Sequence, residues 1–188
     1  MTADPWWQTG VVYQIYPRSF CDTTGSGLGD LNGIRSKLDY LRDLGVDAIW
    51  MSPINPSPMA DMGYDVADYC DVEPLFGDLA TLDALVAEAH ARDIKVLLDW
   101  VPNHTSDQHP WFVESRSSRD NPMPYFYVWS NTPDKYKDPR IIFIHPVQSN
   151  WAHLADTNNH YLHRFSTTQP SPHHNTRKRP PGLDGPPP

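Results

Sequence analysis

Three short runs of apolar, mostly β-branched or aromatic residues punctuate the first hundred positions: VVYQIY at 11–16, VDAIWM at 46–51 and IKVLL at 94–98. Each is too short for a helix and reads as a strand. Between them, apolar residues fall three and four apart. Leu31, Ile34, Leu38, Leu41 and Leu44 make one such face, and Leu79, Leu82, Leu85, Val86 and Ala89 make the next. That spacing places them on one side of a helix. Asp30 stands where a helix is capped and Gly45 where one ends. The order is therefore strand, helix, strand, helix, strand. The strands are almost continuously apolar, as parallel strands buried on both faces are. Repeated βα units imply an α/β fold, either a closed barrel or a doubly wound sheet. No GxGxxG or GxxxxGK follows any strand, which argues against a nucleotide-binding version.

Polar residues gather just after each strand. Arg18 and DTTGSGLGD (22–30) follow the first. Asp61, Tyr64 and Asp65, in MADMGYDVADY (59–69), follow the second. Asp99, Asn103 and His104, in DWVPNHTSDQHPWF (99–112), follow the third. In a parallel barrel all such loops open on one face, where active sites are built. Gly63 permits a sharp turn before Tyr64. Tyr64 can then lie under the C–H face of a sugar ring, with Asp61 and Asp65 taking hydroxyls or an Arg; a surface loop with a half-buried tyrosine is the competing reading. A neutral His104 can donate to a hydroxyl and Asp99 can hold one, or both are a satisfied polar strand end. One Asp and one His are too few for a metal. His109 reads as a loop residue rather than a ligand. Oxygen-bearing residues around glycines at 22–30 suit a calcium loop, although only Asp22 and Asp30 are charged. A plain glycine-rich turn is the alternative.

The βα rhythm stops after Ser106. Residues 105–165 are rich in aromatics, Asp, Asn and Pro, with RIIFI (140–144) as the one clear strand. The stretch from 166 onward, STTQPSPHHNTRKRPPGLDGPPP, has almost nothing apolar to bury, and disorder is expected there. The chain carries 15 basic and 23 acidic residues, a net charge of −8. That balance argues against nucleic acid as a partner. No apolar run approaches the ~20 residues of a membrane span. No secretory signal precedes the first strand, and two cysteines, Cys21 and Cys70, do not make a disulfide scaffold, so the expected location is cytoplasmic.

GVVYQIYPRSF, the run from GDLNGIRSKLDYLRDLGVDAIWMSP to DVEPLFG, and DIKVLLDWVPNHTSDQHPWF together resemble the N-terminal part of the alpha-amylase family of glycoside hydrolases, in its oligo-1,6-glucosidase and alpha-glucosidase branch. The resemblance spans about residues 6–130. It implies a partial TIM (β/α)8 barrel of three βα units over 1–104, the start of an inserted domain over 105–165, and a tail over 166–188. It implies retaining hydrolysis of α-glucosidic bonds in short oligosaccharides. Asp61 and Tyr64 match positions lining the subsite of the cleaved sugar. Asp99, Asn103 and His104 match the first family motif, in which the His contacts that sugar. Asp22, Thr24, Ser26, Leu28 (through its carbonyl) and Asp30 match the branch's calcium loop. Thr24 and Ser26 replace its usual Asn and Asp, which makes any calcium site weak. RIIFIHPVQSNW (140–151) resembles trehalose-synthase-like members instead, with His145 where an Asp is usual. Retaining glycosidases need a nucleophile and an acid/base carboxylate. The family's nucleophile lies in an Arg-x-Asp motif, and neither that nor a His-Asp pair occurs in this sequence. The expectation is a chain without catalytic residues, inactive alone. A trehalose-synthase-like isomerase fragment and a non-catalytic carbohydrate-binding fragment are the alternatives.

Overall fold

The computed structural model describes residues 5–117, 126–135 and 149–173. The expected RIIFI strand, His145 and the tail beyond 173 lie outside these residues. The chain divides into two compact units. The first is Met1–Pro56 with Asp68–Trp100, and the second is Ser57–Ala67 with Val101–Pro188.

The first unit holds the βα repeats. Strands β1 (Val12–Ile15), β2 (Ala48–Met51) and β3 (Lys95–Leu98) form one parallel sheet in that order. Val12 pairs with Ala48, and Ala48 with Lys95, so the three runs align without slippage. A one-turn α1 (Trp6–Thr9) precedes β1, and α2 (Pro17–Phe20) follows it. The single helix expected over Leu31 to Leu44 is two: α3 (Leu31–Ser36) and α4 (Leu38–Leu44). They are joined at Lys37, whose backbone (φ −106°, ψ 3°) leaves helical geometry. Leu31, Ile34, Leu38 and Leu41 are fully buried as the spacing requires, while Leu44, past the break, is exposed. Asp30 caps α3 by accepting from the Gly33 N–H, and Gly45 ends α4 in the left-handed region at φ 85°. Helix α5 (Leu79–His90) is capped by Asp78, which accepts from the Thr81 N–H, and leads into β3.

Burial on both faces holds only for β2. Val12 on β1 is 46% exposed, and Leu97 and Leu98 on β3 are 37% and 51% exposed. The reason is position. β1 and β3 are the outer strands, with no further neighbour among the described residues.

The second unit is built differently. Helix α6 (Pro110–Ser117) packs Phe112 into an aromatic cluster with Tyr127, Trp129 and Tyr161 at ring separations of 5.0–5.8 Å. Strands β4 (Trp129–Ser130), β5 (Trp151–Leu154) and β6 (Asn159–Leu162) form an antiparallel sheet in the order β4-β6-β5. Two expectations change here. The loop 57–67 belongs to this unit rather than to the barrel part, tied by the Ser106 N–H donating to the Val66 carbonyl at 2.7 Å. Residues 166–173, expected as disordered, are packed. Pro170 and Pro172 bridge to His163 and Tyr127, and Gln169 is fully buried. Low hydrophobicity misled because this segment is held by backbone pairing and by polar side chains with partners.

Among the described residues, no helix is long and apolar enough to cross a membrane.

Candidate functional site

The polar residues singled out in the loop after β2 and in the motif after β3 meet within the second unit. The turn is forced by backbone geometry: Met59 and Met62 sit at φ 60° and 54°, and Gly63 at 102°. Asp65 holds it closed. It is fully buried and accepts from the Ala60 and Asp61 N–H groups at 2.9 Å and from the Ser57 hydroxyl at 3.0 Å. A carboxylate satisfied in this way is a loop latch. That corrects the reading of Asp65 as a group for hydroxyls or an Arg.

The latch positions Tyr64 and Asp61. The Tyr64 N–H donates to the Asp61 carbonyl, which closes the turn. The Tyr64 carbonyl lies 3.1 Å from His104 Nε2. A carbonyl only accepts, so Nε2 carries the proton and Nδ1 is left to accept from the Asn103 amide at 3.1 Å. Asn103 thus fixes the tautomer of its neighbour. The ring of Phe165 covers the imidazole at 4.8 Å. Burial pulls the His104 pKa below its usual value, against the upward pull of the Tyr64 carbonyl and the Asp61 and Asp65 charges. The imidazole is therefore neutral at pH 7 and buried, 3% exposed.

Gln169 completes the cluster. Its side-chain amide donates to Asp61 Oδ2 at 2.7 Å and stands 3.1 Å from His104 Nε2. Two donors face each other in that second contact, so the bond to Asp61 is the one that holds the amide. No sequence pattern marked Gln169 or Phe165, because both sit in or beside the segment taken for a tail. The clue was FSTTQP itself, in which a Phe and a Gln bracket a Ser-Thr-Thr turn. In that turn the Gln169 N–H donates back to the Ser166 carbonyl.

Asp99 is placed on the first unit. It is half-buried at the end of β3 and lines a cavity of about 270 Å³ with Met51, Ile54, Tyr69, Leu82 and Leu98. Burial pushes the Tyr69 phenol up to about 12, so it stays protonated. His109 lies in the loop just before α6, as expected, and is buried there with its Nδ1 accepting from the Trp111 N–H.

The loop 22–30 bears on calcium. Asp22 Oδ1 accepts from the N–H groups of Thr24 and Gly25 and from the Thr24 hydroxyl, and its Oδ2 accepts from the Gly27 N–H at 2.7 Å. Asp30 accepts from the Thr23 N–H and hydroxyl and from the Gly33 N–H. The Ser26 hydroxyl contacts the Leu28 carbonyl at 3.3 Å. A calcium ion takes 6–8 oxygens, usually with several carboxylates. Here two carboxylates are the only charged groups, and both are engaged by N–H donors of their own loop and of α3. This donor set does not fit calcium. Among the described residues, no three His, Cys, Asp or Glu come together as a metal site.

The chain belongs to the alpha-amylase family. The family's alpha amylase catalytic domain matches residues 14–178, and so reaches into the segment read as a tail. An oligo-1,6-glucosidase of Heyndrickxia coagulans is 51% identical over 165 residues, which are 88% of this chain and 30% of that protein. A palatinase of Erwinia rhapontici is 47% identical over 176 residues, 90% of this chain and 31% of that protein. Among solved structures, the trehalulose synthase MutB superposes with a TM-score of 0.85 at 43% identity, over 93% of this chain and 31% of that one. The isomaltulose synthase SmuA of Protaminobacter rubrum gives 0.83 at 43% identity, over 91% and 30%. The chain thus spans about 30% of the length of the curated relatives it matches.

Proposed function

We propose that this chain carries the sugar-contacting part of an α-glucosidase-type glycoside hydrolase, and that its 188 residues bind an α-glucoside without cleaving it. The observation that carries this is the Asp61–Gln169–His104 cluster, in which the Gln169 amide stands 2.7 Å from the Asp61 carboxylate and 3.1 Å from the neutral His104 imidazole. Sugar hydroxyls both donate and accept, so a pocket offering both kinds of group suits them. In this reading Asp61 accepts from adjacent hydroxyls, and His104, donating to the Tyr64 carbonyl, holds the turn that presents Asp61. Tyr64 supplies the stacking face, and Asn103 keeps His104 in its donating tautomer. Loop 22–30 is held by its own carboxylates and needs no calcium.

Among the described residues, this reading assigns the covalent step to no carboxylate. A retaining glycosidase places two carboxylates about 5–5.5 Å apart. Asp65 is committed to its loop, Asp61 to Gln169, and the sequence holds no Arg-x-Asp or His-Asp pair. The test is release of nitrophenol from p-nitrophenyl α-glucoside by the purified chain. The expected result is none above the blank. Release that disappears in Asp61→Ala would overturn the reading.

A second reading, rearrangement of sucrose, is favoured by the similarity to solved structures named trehalulose synthase and isomaltulose synthase. Incubation of a complete enzyme containing this segment with sucrose separates the two. Glucose and fructose as the main products fit hydrolysis, and a disaccharide isomer fits rearrangement. The trehalose-synthase alternative rested on residues 140–151, most of which lie outside the described residues.

A further inference from the structure

We propose that His163 is a positioning residue: while neutral it seats the segment 166–173 as a strap that holds the Gln169 amide on Asp61, and on gaining a proton it releases that strap. One consequence, a loss of α-glucoside affinity in acid, rests on the reading of Asp61, Gln169 and His104 as the sugar-contacting cluster. The release itself does not.

The strap is stapled on two sides, all within the second unit. At the end of β6, His163 bridges to Pro170, and the Ser171 N–H donates to the Leu162 carbonyl at 2.8 Å. Beside His104, the N–H groups of Thr105 and Asp107 donate to the carbonyls of Pro170 and Thr168 at 3.2 and 2.9 Å. Between these staples Gln169 is fully buried, and its side chain donates to Asp61 Oδ2 at 2.7 Å. Whatever lifts the strap at β6 therefore withdraws the amide from the carboxylate.

His163 stands at the first staple. It is 1% exposed, and neither of its ring nitrogens has a hydrogen-bond partner. Its own N–H is tied to the Asn150 carbonyl at 2.8 Å. The Tyr161 ring of β6, 6.2 Å away, is the titratable group that faces it. Asn150, ahead of β5, is neutral, and the strap from 166 to 172 carries no acid or base. Asp107, bonded to the strap at Thr168, does not bear on the ring, whose titration is shifted downward by burial and by nothing else. A proton there meets neither a counter-charge nor water, which is costly. The strap is the part that yields. β6 is the central strand, held by β4 and β5, whereas the strap is tied by isolated bridges. Segments with so few ties open first. The closed strap thus binds the proton more weakly than the open one. Closure is complete above about pH 6.5, and the open fraction rises up to about tenfold per pH unit below it. His104 titrates in the same cluster, but burial there is opposed by the Tyr64 carbonyl and by the Asp61 and Asp65 charges.

Amide hydrogen exchange of the full chain at pH 7.5 and 5.0, without sugar, tests this. Protection factors at Gln169, Ser171 and Thr105 should fall by about tenfold or more at pH 5.0, while those of the β5–β6 ladder hold. In His163→Phe, which keeps a ring and removes the titrating nitrogens, the fall should vanish; His163→Leu serves if the larger ring does not fit. A fall that survives in these variants assigns the proton to His104 or Asp107 and overturns the proposal. So does strap protection that is unchanged at pH 5.0, or that is lost in step with the whole ladder. Isomaltose affinity, by calorimetry at the same two pH values, reads the consequence: weaker by about tenfold or more at pH 5.0 in the native chain, with no such step in His163→Phe. Isomaltose that binds at neither pH contradicts the sugar reading, and the exchange data then decide the strap by themselves.

Discussion

At the residue scale, the proposed site depends on one buried amide. Gln169→Leu keeps the volume and removes the donor to Asp61 Oδ2. Asp61 is only half-buried, so losing this partner costs about 1 kcal/mol, the low end of the range for a fully buried acceptor. The expected result is a melting temperature lowered by several degrees and α-glucoside binding weakened at least tenfold, measured by calorimetry. His104 was legible in the sequence because a His after a strand and an Asn is an unusual thing to bury. Gln169 was not, because its partner is 108 positions away and its neighbours are prolines and hydroxyls. A second buried histidine sets the pH response. His163 is 1% exposed, and both of its ring nitrogens lack partners. Burial lowers its pKa below 6.5, and the Tyr161 ring lies 6.2 Å away. The folded state then binds fewer protons than the unfolded one at acid pH. Stability from this group is complete above about pH 6.5 and falls as the pH drops below it. Denaturant midpoints measured from pH 7.5 to 5.0 should decline for the native chain and flatten in His163→Leu.

At the scale of elements, the strands and the α5 helix were readable, since a two-residue or 3.6-residue period survives in any single sequence. The division between α3 and α4 was not. Leu31, Ile34, Leu38 and Leu41 keep their spacing across Lys37, and only the backbone there shows the break. The start of α3 is more tightly specified than its pattern suggests. A Cβ on Gly33 would come within 1.9 Å of the Cys21 carbonyl oxygen, a backbone atom that cannot step aside. Gly33→Ala should therefore cost about 1–3 kcal/mol, read as a lower urea midpoint with an unchanged slope. Asp30 is the other anchor. Burial pushes its carboxyl up, and the N–H groups of Thr23 and Gly33 with the Thr23 hydroxyl more than offset that, so its pKa lies below the usual carboxylate value. Its contribution is present above about pH 3.8 and is lost as the pH falls through the lowered folded value. Asp30→Ala removes both the cap and the loop closure, and a loss of about 1–2 kcal/mol is expected. Added calcium or a chelator should move neither midpoint, because the oxygens of the loop are engaged by its own N–H groups.

At the scale of the whole molecule, the fold class was legible and the division of the chain was not. The barrel repeats run as two βα steps and a third strand, yet the loop Ser57–Ala67 leaves them for the second unit. Hydrogen bonds made far along the sequence, such as Ser106 to Val66, decide that assignment, and no local pattern carries them. The outer strands leave a mark on behaviour. Leu97 and Leu98, on the two faces of β3, and Trp100 just beyond it, 77% exposed, leave apolar side chains uncovered at this outer strand. Unpaired strand edges of this kind invite association. Sedimentation should show concentration-dependent self-association of the chain, reduced in Leu98→Lys. A monodisperse native chain at high concentration would count against it.

The central claim is recognition of an α-glucoside by the second unit without its cleavage. An amide ¹H–¹⁵N NMR titration of the chain with isomaltose tests it most directly. The account predicts saturable shifts clustered at Asp61, Tyr64, His104 and the Gln169 side chain, lost in Gln169→Leu, with the disaccharide intact at the end of the titration. Shifts absent at saturating sugar, or confined to residues away from this cluster, would contradict it.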